Sequence, residues 1–243
     1  MITDLPSTIP EAEVRRLLGY PPGHALAKRV QSLLDSLLAE AASLLEPRGA
    51  GERFALSNAA AVQLPLPGVE SSLSGFALGL VTIGPRLEQR TTAALEAGEA
   101  TEALLLDAIG SAAAEAAADT LGGLLAQRAG GKTGDVGEAG GVDRPGNADQ
   151  AGDVDDGRGP PCRISPGYGG WPLTAQKAIF ARLPHGVIGV RLLPSMLMVP
   201  QKSVSFALWF GPAGSIVTGR GGCSLCDLEP CPRRECRQRG DPA

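Results

Sequence analysis

The sequence predicts an α+β fold in which N-terminal helices pack on a small, twisted, mainly antiparallel sheet. Three observations support this class. Two early segments repeat apolar residues at helical spacing, short apolar runs bounded by Pro, Gly and Ser indicate strands, and a long alanine-rich segment indicates a buried helix. Aromatic residues make up only 4% of the chain, so we expect a core of small side chains with closely packed helices.

Five helices are predicted, each from apolar spacing between helix-breaking residues. They cover residues 11–18, 24–45, 87–95, 101–127 and 174–183, the last capped by Thr174. Gly110 and the pair Gly122-Gly123 weaken the fourth helix, because glycine costs up to about 1 kcal/mol relative to alanine there. We interpret these glycines as places for a bend or for the close approach of a ligand.

Strands are predicted where apolar runs are short. They cover residues 54–64, 76–82, 187–192 and 204–210. Between the two halves of the fold, residues 129–161 consist mainly of Gly, Asp and Ala, and such a segment cannot bury enough apolar surface to offset the entropy of ordering. We expect one domain over residues 1–222 with a disordered insert at 129–161, followed by a cysteine-rich tail at 223–243.

Composition excludes some classes of function. A net charge of −4 and the scarcity of aromatic side chains argue against nucleic acid as a partner. The N-terminus has no basic segment followed by an apolar one, and no run of about 18 apolar residues occurs. We therefore expect a soluble, cytoplasmic protein that does not bind a membrane.

One turn carries the groups that a small zwitterion needs. In the run from Arg163 to Tyr168, Ser165 precedes Pro166 and Gly167, which favours a tight turn. An arginine can hold a carboxylate through two hydrogen bonds, glycine lets a ligand approach the backbone, and a tyrosine ring attracts cations. S-adenosylmethionine has a carboxylate and a sulfonium. The alternative is a purely structural turn with a surface arginine.

The chain resembles the activation domain of cobalamin-dependent methionine synthase, in particular stand-alone proteins related to that domain. The matching segments are 13–20 (EVRRLLGY), 82–84 (TIG), 106–111 (LDAIGS) with Glu115, 163–168 (RISPGY) and 198–205 (MVPQKSVS). The resemblance implies an activation-domain fold and S-adenosylmethionine bound by Arg163, Gly167 and Tyr168, with the backbone of Ser165 as a further contact. It also implies a role in methionine biosynthesis, within a cobalamin-dependent methyltransferase system.

Two carboxylates are further candidates for this site. Asp107 and Glu115 are eight residues apart, about two helical turns, and therefore face the same side of the predicted helix. Ligand contacts and plain helix-surface positions are both consistent with that placement.

No residue of the chain is expected to bind cobalt. Neither His24 nor His185 lies in the Asp-x-His-x-x-Gly motif that ligates cobalamin, and no pterin or homocysteine domain is recognised. Cobalamin would therefore come from a partner, which is a corrinoid protein or the core methionine synthase. The resemblance implies that the chain supports reductive methylation, or reactivation, of that cobalamin.

Four cysteines lie within fourteen residues of the tail. They are Cys223, Cys226, Cys231 and Cys236. Thiolates at such spacing hold a metal centre, and Pro232 directly after a cysteine favours a [4Fe–4S] cluster over zinc, with unligated or redox thiols as a third alternative. A cluster would carry electrons, with or without an electron-donor protein. A non-catalytic docking or metal-binding protein remains the alternative function, and a corrinoid methyltransferase other than methionine synthase remains an alternative partner.

Overall fold

The computed structural model describes residues 1–21, 23–64, 73–130, 163–168 and 170–210, with the backbone alone at 128–130. The α-helices are α1 (Glu11–Leu17), α2 (Lys28–Ala42), α3 (Arg86–Glu96), α4 (Ala100–Gly130) and α5 (Gln176–Phe180). The strands are β1 (Ile2–Asp4), β2 (Arg48–Ala55), β3 (Gly75–Thr82), β4 (Arg163–Ile164), β5 (Arg191–Leu192), β6 (Met198–Val199) and β7 (Ser203–Phe210). The predicted α+β class is confirmed.

Five strands form one antiparallel sheet in the order β1-β2-β3-β7-β4, and β5 pairs with β6 separately. Every residue of β3 is buried, because successive side chains of this central strand enter two different cores. Ala77 and Val81 face the helices α1–α4, whereas Phe76, Leu78 and Leu80 face α5 and its neighbouring turns. The sheet is thus the middle of three layers.

Helix α4 is the main support of the sheet. Its buried alanines allow close packing, and its leucines contact strands whose own side chains are small. A Cβ atom on Gly51 of β2 would lie 2.9 Å from Cδ1 of Leu125, so any other residue here would require the Leu125 side chain to shift. The helix continues without a break through Gly110, Gly122 and Gly123.

Two strand predictions were wrong. The strand predicted at 54–64 lies at Arg48–Ala55 and is followed by two 3-10 turns, Leu56–Asn58 and Ala60–Val62. Its beginning was missed because Gly49 and Gly51 weaken the strand signal, although both are needed for packing against α4. The strand predicted at 187–192 begins instead with a 3-10 turn, His185–Ile188, and only Arg191–Leu192 pairs with another strand.

The helix predictions hold in position, and two of them were too long. The helix predicted at 24–45 covers Lys28–Ala42, and the one at 174–183 shrinks to Gln176–Phe180 after a 3-10 turn, Leu173–Ala175. Thr174 lies inside that turn and caps neither element. Helix α4 extends to Gly130, two residues into the predicted insert.

The remainder of the predicted insert and the cysteine tail lie outside the described residues. In the part of the chain that is described, no helix is both long and apolar enough to cross a membrane.

Candidate functional site

A cleft of about 940 Å³ opens between α1, α4 and the start of β7. Its size lies within the range of small-molecule sites. Charged side chains of both signs line it: Glu13, Arg16, Glu115, Asp119, Arg163 and Lys202. The cleft therefore suits a ligand that carries both positive and negative charge.

Strand β4 places Arg163 in this cleft. Arg163 pairs with Leu208 of β7, and its side chain is only 18% exposed, with Cζ 5.5 Å from the centre of the Phe206 ring. Its Nη2 atom forms an ion pair with Glu115 and lies 3.2 Å from Oδ1 of Asp119. The guanidinium is thus held by packing on one side and by two carboxylates on the other.

The turn that follows β4 has the predicted geometry. The N–H of Tyr168 donates to the carbonyl of Ser165 at 3.1 Å, and Gly167 has φ +95°, a conformation that favours glycine. The N–H of Gly167 donates to the carbonyl of Trp171 at 2.7 Å, and the buried Trp171 ring donates to the carbonyl of Val62 at 2.9 Å. The turn is therefore anchored in the core on the α5 face of the sheet.

Three of the six cofactor-binding residues predicted from the sequence line the cleft. Arg163, Glu115 and the 58% exposed ring of Tyr168 do so, whereas Ser165 and Gly167 shape the turn beside it. Asp107 is connected to the cleft through Lys202, whose Nζ donates to Oδ1 of Asp107 at 2.7 Å. Asp107 and Glu115 face the same side of α4, as predicted, and each holds a cation.

Sequence reasoning missed Lys202 and Asp119. Lys202 lies inside the 198–205 segment that carried the family resemblance, but no role was assigned to it. Asp119 follows Glu115 by one helical turn, so extending the spacing from Asp107 through Ser111 and Glu115 would have found it. The pattern of four polar residues at intervals of four was therefore present in the sequence.

The opposite wall comes from α1. Nε of Arg16 donates to Oε2 of Glu13 at 2.6 Å, and both side chains line the cleft. They belong to the EVRRLLGY segment, to which the sequence analysis assigned no ligand. This wall adds a further carboxylate and a further guanidinium to the site.

The pKa of Asp119 is raised above its ordinary value. The chief cause is loss of hydration beside the cleft wall; the positive charge of Arg163 opposes the rise, and the negative charges of Glu115 and Glu13 add to it. The Asp119 side chain is nevertheless 73% exposed at the cleft mouth, so water screens these interactions.

The cleft can bind charge but carries no evident metal centre. Over the described ranges, no group of three or more His, Cys, Asp and Glu side chains is arranged to hold a metal ion. The four cysteines predicted to bind metal, at 223, 226, 231 and 236, lie outside these ranges. What the cleft offers is donors for a carboxylate and acceptors for an ammonium group.

Comparison with solved structures shows a similarity in fold. No family model matches the sequence, and no curated protein matches it. A solved structure, "Crystal Structure of the MetH Reactivation Domain bound to AdoHcy", is similar with a TM-score of 0.54 and 16% identity. The match covers 87% of this chain and 78% of that one. At this identity the likeness concerns the fold alone, and the chain shares the α+β fold of the MetH reactivation domain.

Proposed function

We propose that this protein binds S-adenosylmethionine in the Arg163 cleft and supports the reductive methylation of cobalamin held by a corrinoid partner. The observation that carries this proposal is the partly buried Arg163 guanidinium, which lies beside two carboxylates and shares one cleft with an exposed tyrosine. The MetH reactivation domain, whose fold is similar, was crystallised with AdoHcy, the demethylated form of S-adenosylmethionine.

The charged groups of the cleft support binding of the amino-acid end of S-adenosylmethionine. The ligand's carboxylate would pair with Arg163, whose fork of N–H donors suits two parallel hydrogen bonds. Its ammonium group would donate to Glu115 or Asp119, which face Arg163 from successive turns of α4. Binding would then exchange ion pairs within the protein for ion pairs with the ligand.

Tyr168 would contact the sulfonium. Its ring is 58% exposed, and it lines the same cleft as Arg163. An aromatic face attracts a cation within about 6 Å by roughly 0.5–1 kcal/mol at an exposed site. This attraction favours the methylated, positively charged ligand over neutral AdoHcy.

The partner supplies the cobalt. That partner would provide the acceptor for the methyl group of the sulfonium, which would leave AdoHcy in the cleft, and a separate electron source would supply the electron for the reduction. We propose that the tail provides that electron through a [4Fe–4S] cluster on Cys223, Cys226, Cys231 and Cys236, with zinc as the alternative metal. The protein's own part in the cleft is to bind and orient the methyl donor.

A docking protein that does not bind this ligand is the second candidate function. One observation favours it: Arg163 is already neutralised by Glu115 and Asp119. A ligand must displace these carboxylates from Arg163. If the two ion pairs are too strong, the ligand does not bind in the cleft.

Calorimetric titration of the full chain with AdoHcy separates the two functions. We expect heat of binding from the wild type and a loss of at least about tenfold in affinity for Arg163→Ala, because a charge-assisted hydrogen bond contributes about 1.5–3 kcal/mol. Arg191→Ala is the matched control, since Arg191 is exposed on β5 and does not line the cleft. No heat from the wild type, or equal affinity of the two variants, contradicts the proposal.

A further inference from the structure

A second cationic centre lies in the same cleft, one turn of α4 away from the Arg163 ion pairs. Nζ of Lys202 donates to Oδ1 of Asp107 at 2.7 Å and to Oγ of Ser111 at 2.8 Å. The Lys202 side chain is only 16% exposed, whereas Asp107 is 59% exposed. A well-packed ammonium group thus lies beneath an accessible carboxylate.

Two residues of α4 hold this centre in place. A Cβ atom on Gly110 would lie 3.2 Å from Cε of Lys202, so the missing side chain makes room for the lysine stem. The Ser111 hydroxyl donates to the carbonyl of Asp107 at 3.0 Å, which leaves its oxygen free to accept from Lys202. Gly110 and Ser111 therefore both help to fix the position of the Lys202 ammonium group.

The centre has unused hydrogen-bonding capacity. An ammonium group has three N–H donors, and within the described residues Lys202 uses two, on Asp107 and Ser111. A carboxylate has about four acceptor sites, of which Lys202 occupies one on Asp107. One donor and several acceptors remain for hydroxyl groups.

The spacing of the two centres suits the two ends of one ligand. Ser111 and Glu115, which contact Lys202 and Arg163, are one turn or about 6 Å apart along α4. The outer members, Asp107 and Asp119, are about 18 Å apart. In AdoHcy, the homocysteine chain separates the carboxylate from the ribose by a distance between these limits.

We propose that Asp107, Lys202 and Ser111 form the ribose-binding end of the cleft, an assignment that rests on the proposed function. Asp107 accepts a hydrogen bond from a ribose hydroxyl, as acidic residues do in dinucleotide sites, and Lys202 donates to the neighbouring hydroxyl oxygen. A second anionic group is disfavoured there, because the exposed Asp107 carboxylate repels it. The ligand end at this centre is neutral and rich in hydroxyl groups.

Calorimetry with AdoHcy and its 2′,3′-dideoxy analogue tests this assignment on the full chain. We expect the wild type to bind the analogue about tenfold to a hundredfold more weakly, because hydrogen bonds to charged groups are lost. In Asp107→Asn this discrimination, the ratio of the affinities for AdoHcy and the analogue, should fall severalfold. Asp35→Asn, a change of the same type on the exposed face of α2, should retain it.

Lys202→Met is a second variant that keeps an unbranched stem against Gly110 while removing the charge, and it should also lose discrimination. Arg163→Ala should weaken both ligands by the same factor, which separates the two ends of the cleft. Full discrimination in both Asp107→Asn and Lys202→Met, or equal affinity of the wild type for the two ligands, overturns the ribose assignment but leaves the proposed function intact. If the wild type binds neither ligand, both are overturned.

Discussion

Arg163 shares its guanidinium between Glu115 and Asp119, which come from successive turns of α4. The arrangement brings two carboxylates close together, and like charges at such spacing make ionisation of one of them less favourable. The pKa of Asp119 is raised chiefly by partial loss of hydration; the charge of Arg163 opposes the rise, and the acidic neighbours Glu115 and Glu13 add to it. The charge balance of the cleft therefore depends on pH.

Asp119→Asn should change how stability depends on pH. A raised pKa means that the folded protein binds this proton more tightly than the unfolded chain does, so the wild type gains most stability below the unfolded pKa of about 3.9. That gain is lost as the pH rises through the higher, folded pKa. Urea unfolding at several pH values should show the variant becoming more stable relative to the wild type as the pH rises from about 4, by a small amount because Asp119 is 73% exposed. A difference that is independent of pH, or that falls with pH, contradicts this expectation.

Helix α4 joins the fold to the site. One face supports the sheet through alanine and leucine, and another presents Ser111, Glu115 and Asp119 to the cleft, with Asp107 held beside it by Lys202. Alanine propensity predicted this helix well, and its spacing placed Asp107 and Glu115 on one side. The partners Lys202 and Arg163 come from segments more than forty residues away in sequence, so only the tertiary structure could identify the ion pairs.

The glycines of α4 should respond differently to alanine. Gly123→Ala should raise the free energy of unfolding by about 0.5–1 kcal/mol, because no atom lies within 4 Å of the added Cβ and alanine favours the helix. At Gly110 the same gain is opposed by contacts of 3.2 Å with Lys202 and 3.3 Å with Leu87, so Gly110→Ala should stabilise less or destabilise. Denaturant unfolding of the two variants measures the difference. Equal gains would contradict this expectation, because they would mean that the Lys202 and Leu87 side chains move aside with no loss of stability.

The described part of the chain forms three layers, with helices α1–α4 and the α5 side packed on opposite faces of one sheet. Fold class and most helices were predictable, because apolar periodicity and alanine content act locally. Strand β2 was not fully predictable, since Gly49 and Gly51 favour turns locally and fit a strand only because α4 packs against them. The chain and the MetH reactivation domain share a fold at 16% identity. That fold therefore depends on tertiary packing as well as on local sequence signals.

The cysteine tail should bind metal independently of the cleft. Anaerobically purified wild type should contain about four iron atoms and four sulfides per chain for a [4Fe–4S] cluster, or about one zinc ion for the alternative. Cys226→Ser should lose the metal, while Cys162→Ser, a cysteine outside the four-cysteine motif, should keep it. AdoHcy affinity should be the same in both variants. Wild type without iron or zinc, or Cys226→Ser with its full metal content, contradicts the assignment.

A structure of the full chain determined with AdoHcy is the most direct measurement of the central claim. We expect the ligand in the cleft between α1, α4 and β7, with its carboxylate on Arg163 in place of Glu115 or Asp119 and its thioether beside Tyr168. AdoHcy bound away from Arg163, or a cleft that keeps both ion pairs and stays empty at saturating ligand, would contradict it.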